Sequence, residues 1–162
     1  MANLLIERGV RPGEKVALSC PNIPHFTTIY FGILKAGAVV VPLNVLLKAR
    51  EIAYHLNDSD ATVYFAFEGS PELPIGREAW SAFQVADRAA HFFLIGSGAA
   101  VDGVTPDQLY GAAVAGRPET VERADDDTAV ILYTSGTTGQ PKGAELRHRN
   151  VYDIAGAGVQ LF

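Results

Sequence analysis

The chain has 162 residues, of which 48% are apolar, and a formal net charge of −5 at pH 7. This length suffices for one domain with a hydrophobic core, and the negative charge argues against nucleic acid or an anionic membrane as the main partner. The single cysteine, Cys20, excludes a disulfide framework and a thiolate metal cluster, and its thiol is expected to be buried at a strand end rather than catalytic.

The first third of the chain alternates helices and strands. Asn3–Arg8 predicts the last turns of a helix, with Gly9 as its C-terminal cap. Lys15–Cys20 predicts a strand. A second helix is expected to follow, with Asn22 as its N-cap and Pro24 in its first turn.

The pattern continues through the next thirty residues. Gly37 closes the second helix, and Ala38–Val41 is an apolar run typical of a parallel strand that is buried on both faces. Ala49–Leu56 has the spacing of an amphipathic helix, and Thr62–Phe67 predicts a third strand. This order predicts an α/β fold with mostly parallel sheet layers flanked by helices.

The middle of the chain has a weaker pattern. It predicts a helix over Glu78–Ala90, a strand over His91–Ile95 and a helix over Pro106–Ala115 after a Thr105 cap. Gly96–Val101 (GSGAAV) follows an apolar strand but lacks the third glycine of a dinucleotide-binding fingerprint. That departure favours an ordinary surface loop over a cofactor site.

The most informative stretch is Asp125–Asn150. Within it, Ala129–Tyr133 predicts a buried strand, and Thr134–Gly143 then holds four hydroxyls, three glycines, one lysine and no acid. Glycines let backbone N–H groups approach a ligand, hydroxyls donate hydrogen bonds, and Lys142 adds a positive charge. This composition predicts a loop that binds a polyanion such as a triphosphate. The alternative interpretation of this stretch is a flexible Ser/Thr/Gly connection that binds no ligand.

A P-loop is the weaker nucleotide-binding hypothesis for this stretch. The Walker pattern requires Gly-Lys followed by Ser or Thr, whereas Lys142 stands between Pro141 and Gly143. Pro141 also removes one of the backbone donors on which such a cradle depends.

Other polar residues have ordinary structural explanations. Asp125–Asp127 are three adjacent acids whose side chains point in different directions, which favours a solvated turn over a metal site. His148 is expected at a helix start or a pocket wall, because no carboxylate or nucleophile is visibly paired with it. His25, His55 and His91 are isolated in the sequence and are expected to be structural or exposed.

Several sequence blocks together identify a family. Tyr133–Gly143 (YTSGTTGQPKG) resembles the signature loop of the adenylate-forming, AMP-binding superfamily, which includes acyl-CoA synthetases, luciferases and peptide-synthetase adenylation domains. Leu34–Leu43 (LKAGAVVVPL), followed by Ala49–Ile52 and Asn57–Ala61, resembles the early core motif of that family. Gly9–Ala17 fits its usual opening. The resemblance covers the beginning and the end of the chain but not its middle.

Within this superfamily the chain looks closest to the fatty-acyl- and aryl-CoA ligases. Glu145–Asn150 (ELRHRN) carries that similarity. The family more often has Ser or Thr before the histidine, as the cap of the next helix, so Arg147 is a departure. A lost cap costs on the order of 1 kcal/mol.

The resemblance implies a fold and a reaction. The fold is an incomplete portion of the large N-terminal domain of the family: residues 1–68 form a first α/β unit, residues 69–124 a variable segment, and residues 125–162 a strand, the phosphate loop and a following helix. In the reaction a carboxylic acid, here a fatty acid, attacks the α-phosphate of ATP in the presence of Mg²⁺. The resulting acyl-adenylate then transfers its acyl group to CoA.

The resemblance also assigns the site. Donors and a cation that are aimed at the departing pyrophosphate would lower the barrier of the first step. The residues that would bind the ATP phosphates are Thr134, Ser135, Gly136, Thr137, Thr138, Gly139 and Lys142. No residue is assigned as a metal ligand.

The remaining machinery of the family would follow Phe162. We therefore expect an N-terminal fragment of a cytoplasmic fatty-acid–CoA ligase, inactive alone, without a transmembrane segment, and prone to self-association through exposed apolar surface. Two alternatives stay open. The chain is a non-catalytic remnant with at most weak nucleotide binding, or it belongs to an adenylation domain with an acceptor other than CoA.

Overall fold

The structure is a computed structural model that describes residues 1–96, 101–107, 119–134 and 139–161. These residues contain five helices and six strands. The helices are α1 (Ala2–Glu7), α2 (Pro24–Lys35), α3 (Ala49–Asp58), α4 (Ile75–Phe83) and α5 (His148–Leu161). The strands are β1 (Lys15–Ser19), β2 (Val39–Pro42), β3 (Ala61–Phe67), β4 (His91–Ile95), β5 (Thr128–Thr134) and β6 (Lys142–Arg147).

All six strands form one sheet in the order β4-β3-β1-β2-β5-β6. The first five strands run parallel to their neighbours, and β6 pairs with β5 in the antiparallel direction. This arrangement confirms the predicted α/β class with a mostly parallel sheet.

Helices cover both faces of this sheet. On one face, Leu5 of α1 and Ile33 of α2 pack in the same core as Val16 and Val40. On the other face, Leu56 of α3 packs with alternate strand residues in a second core. Val39, Val40 and Val41 are each at most 2% exposed, which confirms the predicted two-sided burial of β2. Each fully buried aliphatic side chain contributes roughly 1.5–3 kcal/mol.

Helix α4 begins earlier and ends earlier than predicted. The sequence predicts a helix over Glu78–Ala90, whereas α4 spans Ile75–Phe83 and has Gly76 in its first turn. A Cβ at Gly76 would lie 2.9 Å from the Leu94 side chain and 3.0 Å from the Glu68 carbonyl oxygen. This glycine therefore serves close packing of the helix rather than a turn.

Two other predictions for helix starts are wrong. Ile23, in an extended conformation, is the N-cap of α2, and no side chain caps that helix, so Asn22 does not have the predicted role. Pro106 and Asp107 are not helical, because Asp107 forms an isolated parallel bridge with Phe93. The rest of the predicted Pro106–Ala115 helix lies outside the described residues, as do residues 97–100 of the glycine-containing loop.

The thiol of Cys20 lies at the end of β1 and is buried. Cys20 is 7% exposed, and burial raises the pKa of its thiol to about 11. The interpretation of Cys20 as a buried strand-end residue is confirmed.

The helices can also be compared with the thickness of a membrane. Among the helices that the structure describes, none has both the length and the apolarity needed to cross a bilayer.

Candidate functional site

The predicted phosphate loop lies between two antiparallel strands. The sequence predicts strand, loop and helix in this region and misses β6, which follows the loop directly and makes the region a β-hairpin. Five of the six residues of β6 are exposed, so no alternation of apolar residues signals it. In the sequence, only the glycine- and proline-containing stretch between these strands is typical of a hairpin.

Two of the predicted site residues face each other across the mouth of this hairpin. Thr134, the last residue of β5, pairs with Lys142, the first residue of β6. Directly opposed residues of an antiparallel ladder share one face of the sheet, and both side chains are exposed. The structure therefore brings a hydroxyl and an ammonium group together at one opening.

Of the remaining predicted site residues, the structure describes only one. Ser135, Gly136, Thr137 and Thr138 lie outside the described residues. Gly139 is described and has a φ of +92°, a backbone conformation that side chains with a Cβ rarely adopt. A glycine is therefore required at this position of the connection.

The opposite face of the hairpin packs toward α3. Tyr133 pairs with Gly143, and a Cβ at Gly143 would lie 2.8 Å from Ile131 Cγ2 and 3.3 Å from Tyr133 Cζ. The Tyr133 ring thus occupies the space that a side chain at position 143 would need. Tyr133 and Ile131 belong to the same core as Leu56 of α3.

Hydrogen bonds join both ends of the connection to α3. The Tyr133 hydroxyl donates to Asp58 Oδ2 at 2.7 Å and lies 3.4 Å from the His55 carbonyl oxygen. The Tyr54 hydroxyl donates to the Pro141 carbonyl oxygen at 2.9 Å. Burial and the Asp58 carboxylate together raise the pKa of the Tyr133 phenol, which therefore stays a donor at neutral pH.

His55 forms the floor beneath Tyr133. It is 3% exposed, and neither of its ring nitrogens has a hydrogen-bond partner among the described residues. Burial lowers the pKa of His55, although Glu51 and Asp58 oppose that shift. The expectation that His55 is structural agrees with this position, but no sequence pattern indicates its contact with the hairpin.

The acidic turn closes the other end of the hairpin. Asp126 forms ion pairs with Arg149 and Arg147, the latter at 2.9 Å, and hydrogen bonds from these two arginines lower the pKa of the Asp126 carboxyl. Residues 125–127 form a turn. This confirms the prediction of a solvated turn, and the Asp126 carboxylate in that turn forms ion pairs.

The start of α5 is stabilised without a hydroxyl cap. The helix begins at His148, which is the first of the two positions predicted for this residue. The N–H groups of His148 and Arg149 donate to the Asp127 and Asp125 carbonyl oxygens at 3.1 and 3.0 Å. The Arg147 N–H donates to Asn150 Oδ1 at 3.0 Å, which is one half of a capping box. These bonds offset the cap that Arg147 cannot provide.

The donor set at the hairpin mouth fits an anion. A hydroxyl and an ammonium group beside a glycine-rich connection favour phosphate oxygens, whereas Mg²⁺ prefers carboxylate and carbonyl oxygens. Elsewhere in the described chain, no group of three or more His, Cys, Asp or Glu residues could hold a metal ion. The Mg²⁺ that the family resemblance implies is therefore assigned no ligand on the described residues.

Comparison with known proteins finds one family model and several relatives. A family model described as "AMP-binding enzyme" matches residues 1–160. The long-chain-fatty-acid–CoA ligase FadD13 of Mycobacterium tuberculosis is 36% identical over 157 residues, which are 95% of this chain and 28% of that protein. A crotonobetaine/carnitine–CoA ligase of Salmonella typhimurium is 37% identical over 152 residues, 93% of this chain and 29% of that protein.

A solved structure shares the fold. The anthranilate–CoA ligase AuaEII, in complex with anthranoyl-AMP, superimposes with a TM-score of 0.69 at 30% identity. The match covers 91% of this chain and 26% of AuaEII. The chain thus spans less than a third of the length of each of these three proteins.

Proposed function

Because the chain belongs to the AMP-binding enzyme family, we propose that it forms part of the N-terminal domain of an ATP-dependent acyl-CoA synthetase and binds the phosphates of ATP. The observation that carries the proposal is the Thr134–Lys142 pair at the mouth of the β5–β6 hairpin. Gly139 and the four residues before it, Ser135, Gly136, Thr137 and Thr138, are proposed as further donors to the phosphates.

The proposed reaction has two steps. A carboxylate oxygen attacks the α-phosphorus of ATP, the bond to the bridging oxygen breaks, and pyrophosphate leaves with that electron pair. The CoA thiol then loses its proton and attacks the acyl carbonyl carbon, and AMP leaves. Negative charge builds on the pyrophosphate in the first step, so a fixed ammonium and hydroxyl donors at Lys142 and Thr134 lower that barrier. Mg²⁺ is proposed to accompany the nucleotide, and no step is derived through it.

The acyl substrate is proposed at the level of its chemical class. The names of the three relatives specify a long-chain fatty acid, crotonobetaine or carnitine, and anthranilate, which share a carboxylate but little else. Because the name of FadD13 specifies a long-chain fatty acid, and the Glu145–Asn150 block resembles fatty-acyl- as well as aryl-CoA ligases, we propose a fatty acid as the first substrate to test. The chain alone is proposed to bind nucleotide without completing acyl transfer.

The first experiment measures nucleotide binding by the 162-residue chain. Calorimetric titration with ATP and with inorganic triphosphate is expected to show weak binding that Lys142→Ala abolishes. Arg11→Ala is the matched control, because it also removes one positive charge, and Arg11 pairs with Glu14 in the turn before β1. Equal affinity of wild type and Lys142→Ala would contradict the phosphate-binding role.

The second experiment tests the reaction with the full open reading frame that contains this chain. ATP–pyrophosphate exchange that depends on a fatty acid, followed by acyl-CoA formation, is the expected result. Exchange without a CoA thioester would indicate an adenylation domain with another acceptor. The absence of exchange with every carboxylic acid tried would leave nucleotide binding alone and overturn the synthetase proposal.

We also propose that the protein is cytoplasmic and that this chain associates with itself when expressed alone. Large apolar side chains are more than half exposed on two of its helices and in two loops: Phe31, Leu46, Val85, Tyr152 and Ile154. Apolar surface of this kind favours association. Sedimentation velocity of the isolated chain at increasing concentration is expected to show species larger than the monomer.

A further inference from the structure

We propose that Asp58 and Tyr54 of α3, together with Tyr133, are positioning residues that clamp the β5–β6 hairpin against α3. The inference rests on the proposed function, because it assigns these residues the task of holding the phosphate-binding pair in place. None of these three residues is predicted to contact a phosphate.

The hairpin needs such support because its tip extends beyond its neighbour in the sheet. The register between β2 and β5 pairs Val40 with Val130. Strand β2 ends two residues later, at Pro42, whereas β5 continues for four residues, to Thr134. Tyr133 and Thr134 therefore extend past the end of β2. Beyond Leu132 the ladder with β6 and the contacts of Tyr133 with α3 hold the tip.

The contacts with α3 hold both strands of the tip rather than one. Tyr133 lies on β5 immediately before the connection, and its hydroxyl donates to Asp58 at 2.7 Å. Pro141 lies immediately before β6, and its carbonyl oxygen accepts from Tyr54 at 2.9 Å. A single helix therefore sets the separation and the tilt of the two ends of the connection.

The carboxylate of Asp58 does not stabilise its own helix. It is the last residue of α3, where a negative charge opposes the helix dipole. Its described hydrogen-bond partners are the hydroxyl groups of Tyr133 and, at 3.5 Å, of Tyr54. The presence of a carboxylate at this position is thus better explained by its hydrogen bonds with the two tyrosines than by a contribution to the stability of α3.

The clamp leaves the phosphate-binding face free. Adjacent residues of a strand point to opposite faces of the sheet, so Tyr133 engages α3 while Thr134 and its partner Lys142 face the other side. His55 fills the space beneath Tyr133, with ring centroids 4.2 Å apart. Motion of the Tyr133 ring would therefore change the position of the neighbouring Thr134 backbone.

The test compares variants that remove single hydrogen bonds in the 162-residue chain. Tyr133→Phe and Tyr54→Phe each delete one hydroxyl and keep the ring, and Asp58→Ala deletes the acceptor. Asp58→Asn is the conservative variant, because its amide oxygen can still accept from a tyrosine. The matched controls are Asp60→Asn, a carboxylate two residues further along, and Tyr152→Phe, a phenol on α5 that is 79% exposed.

Amide hydrogen exchange is the first readout, at those amides of Tyr133, Thr134, Lys142 and Gly143 that the β5–β6 ladder protects in wild type, with urea unfolding measured in parallel. Tyr133→Phe and Asp58→Ala are expected to speed exchange at these amides by about tenfold while global stability changes little. Asp58→Asn should recover most of the protection, and both controls should match wild type. Unchanged exchange in Tyr133→Phe, or faster exchange throughout the chain in step with lost global stability, would overturn the clamp.

Calorimetric titration with ATP separates the clamp from the proposed function. If wild type binds ATP, Tyr133→Phe is expected to weaken the affinity severalfold, although Tyr133 is not a proposed ligand. If wild type binds no ATP while the exchange results are as expected, the phosphate-binding proposal fails and the clamp stands as a feature of the fold. If ATP binds equally well to wild type and to Tyr133→Phe, the positioning role is wrong.

Discussion

The His55 and Tyr133 rings lie 4.2 Å apart at an angle of 57°, so a buried imidazole of α3 supports the residue that precedes the predicted phosphate loop. The His55 ring is buried, and its nitrogens have no partner among the described residues. This environment favours the neutral form of the imidazole.

This burial predicts that stability falls in mild acid. The pKa of folded His55 is lowered from 6.5, so below about pH 6.5 the unfolded chain binds a proton that the folded chain resists. The stabilising contribution is complete above about pH 6.5 and is lost as the pH falls toward the folded pKa. Urea unfolding at about pH 7.5, about pH 6.5 and about pH 5.5 should show a free energy of unfolding that decreases as the pH falls.

The controls for this experiment are two histidine variants. His55→Phe keeps a ring in the core and should flatten the dependence between these pH values. His148→Gln, at the start of α5, should retain it. The carboxyl groups of Glu14 and Asp126 have lowered pKa values and act at more acidic pH. Equal slopes for wild type and His55→Phe would rule out His55 as the cause.

Lys142→Ala is predicted to slow the first step of the proposed reaction. Its ammonium group would face the charge that develops on pyrophosphate, and removing one such group costs about tenfold or more in rate. ATP–pyrophosphate exchange by the full open reading frame is the measurement, with Arg11→Ala as the charge-matched control. An exchange rate within about twofold of wild type would remove Lys142 from this role.

Two glycine-to-alanine variants should have opposite effects on stability. A Cβ at Gly143 would lie 2.8 Å from Ile131 Cγ2, so Gly143→Ala should destabilise the chain by roughly 1–3 kcal/mol. Gly156 lies in α5, and a Cβ added there would meet no atom within 4 Å. Gly156→Ala should therefore stabilise the chain by about 0.5–1 kcal/mol. Urea unfolding measures the stability of both variants. If both were destabilised, the argument from the different space around the two glycines would be wrong.

The buried hydroxyl pair between β1 and β3 should show strong coupling. Ser19 Oγ and Tyr64 Oη lie 2.8 Å apart, and their residues are 1% and 0% exposed. Removing either hydroxyl leaves the other buried and unsatisfied, at a cost of roughly 1–3 kcal/mol. The double variant Ser19→Ala/Tyr64→Phe should lose clearly less than the sum of the two single variants, as unfolding free energies would show. Simple additivity would mean that the pair is not a mutual hydrogen bond.

The sequence predicted those parts of the fold in which one residue pattern decides the structure. Periodic apolar residues located α2 and α3, and the valine run located β2, because the burial of these residues requires little knowledge of distant neighbours. The start of α4 was missed because Gly76 resembles a turn residue and instead permits close packing. Strand β6 was missed because an exposed edge strand carries no apolar signature.

For the candidate site, the sequence predicts a ligand chemistry, which stays a prediction, but it does not predict the contacts that support the hairpin. The hydroxyls, glycines and Lys142 of the loop indicate an anion by their composition alone. The bond between Tyr133 and Asp58 joins residues 75 positions apart, and Asp58 in the sequence belongs to an ordinary polar helix end. Such a contact depends on how α3 crosses β5, which only the assembled sheet determines.

The strand order also has a consequence for how the chain reaches its native state. Strands β5 and β6 are close in the sequence and can form their hairpin locally, whereas the β2–β5 junction must join Val40 to Val130. Closing a loop of that length costs conformational entropy before any contact compensates for it. We therefore expect the hairpin to form early and to dock late, so that contact between Tyr133 and α3 marks one of the last steps of folding.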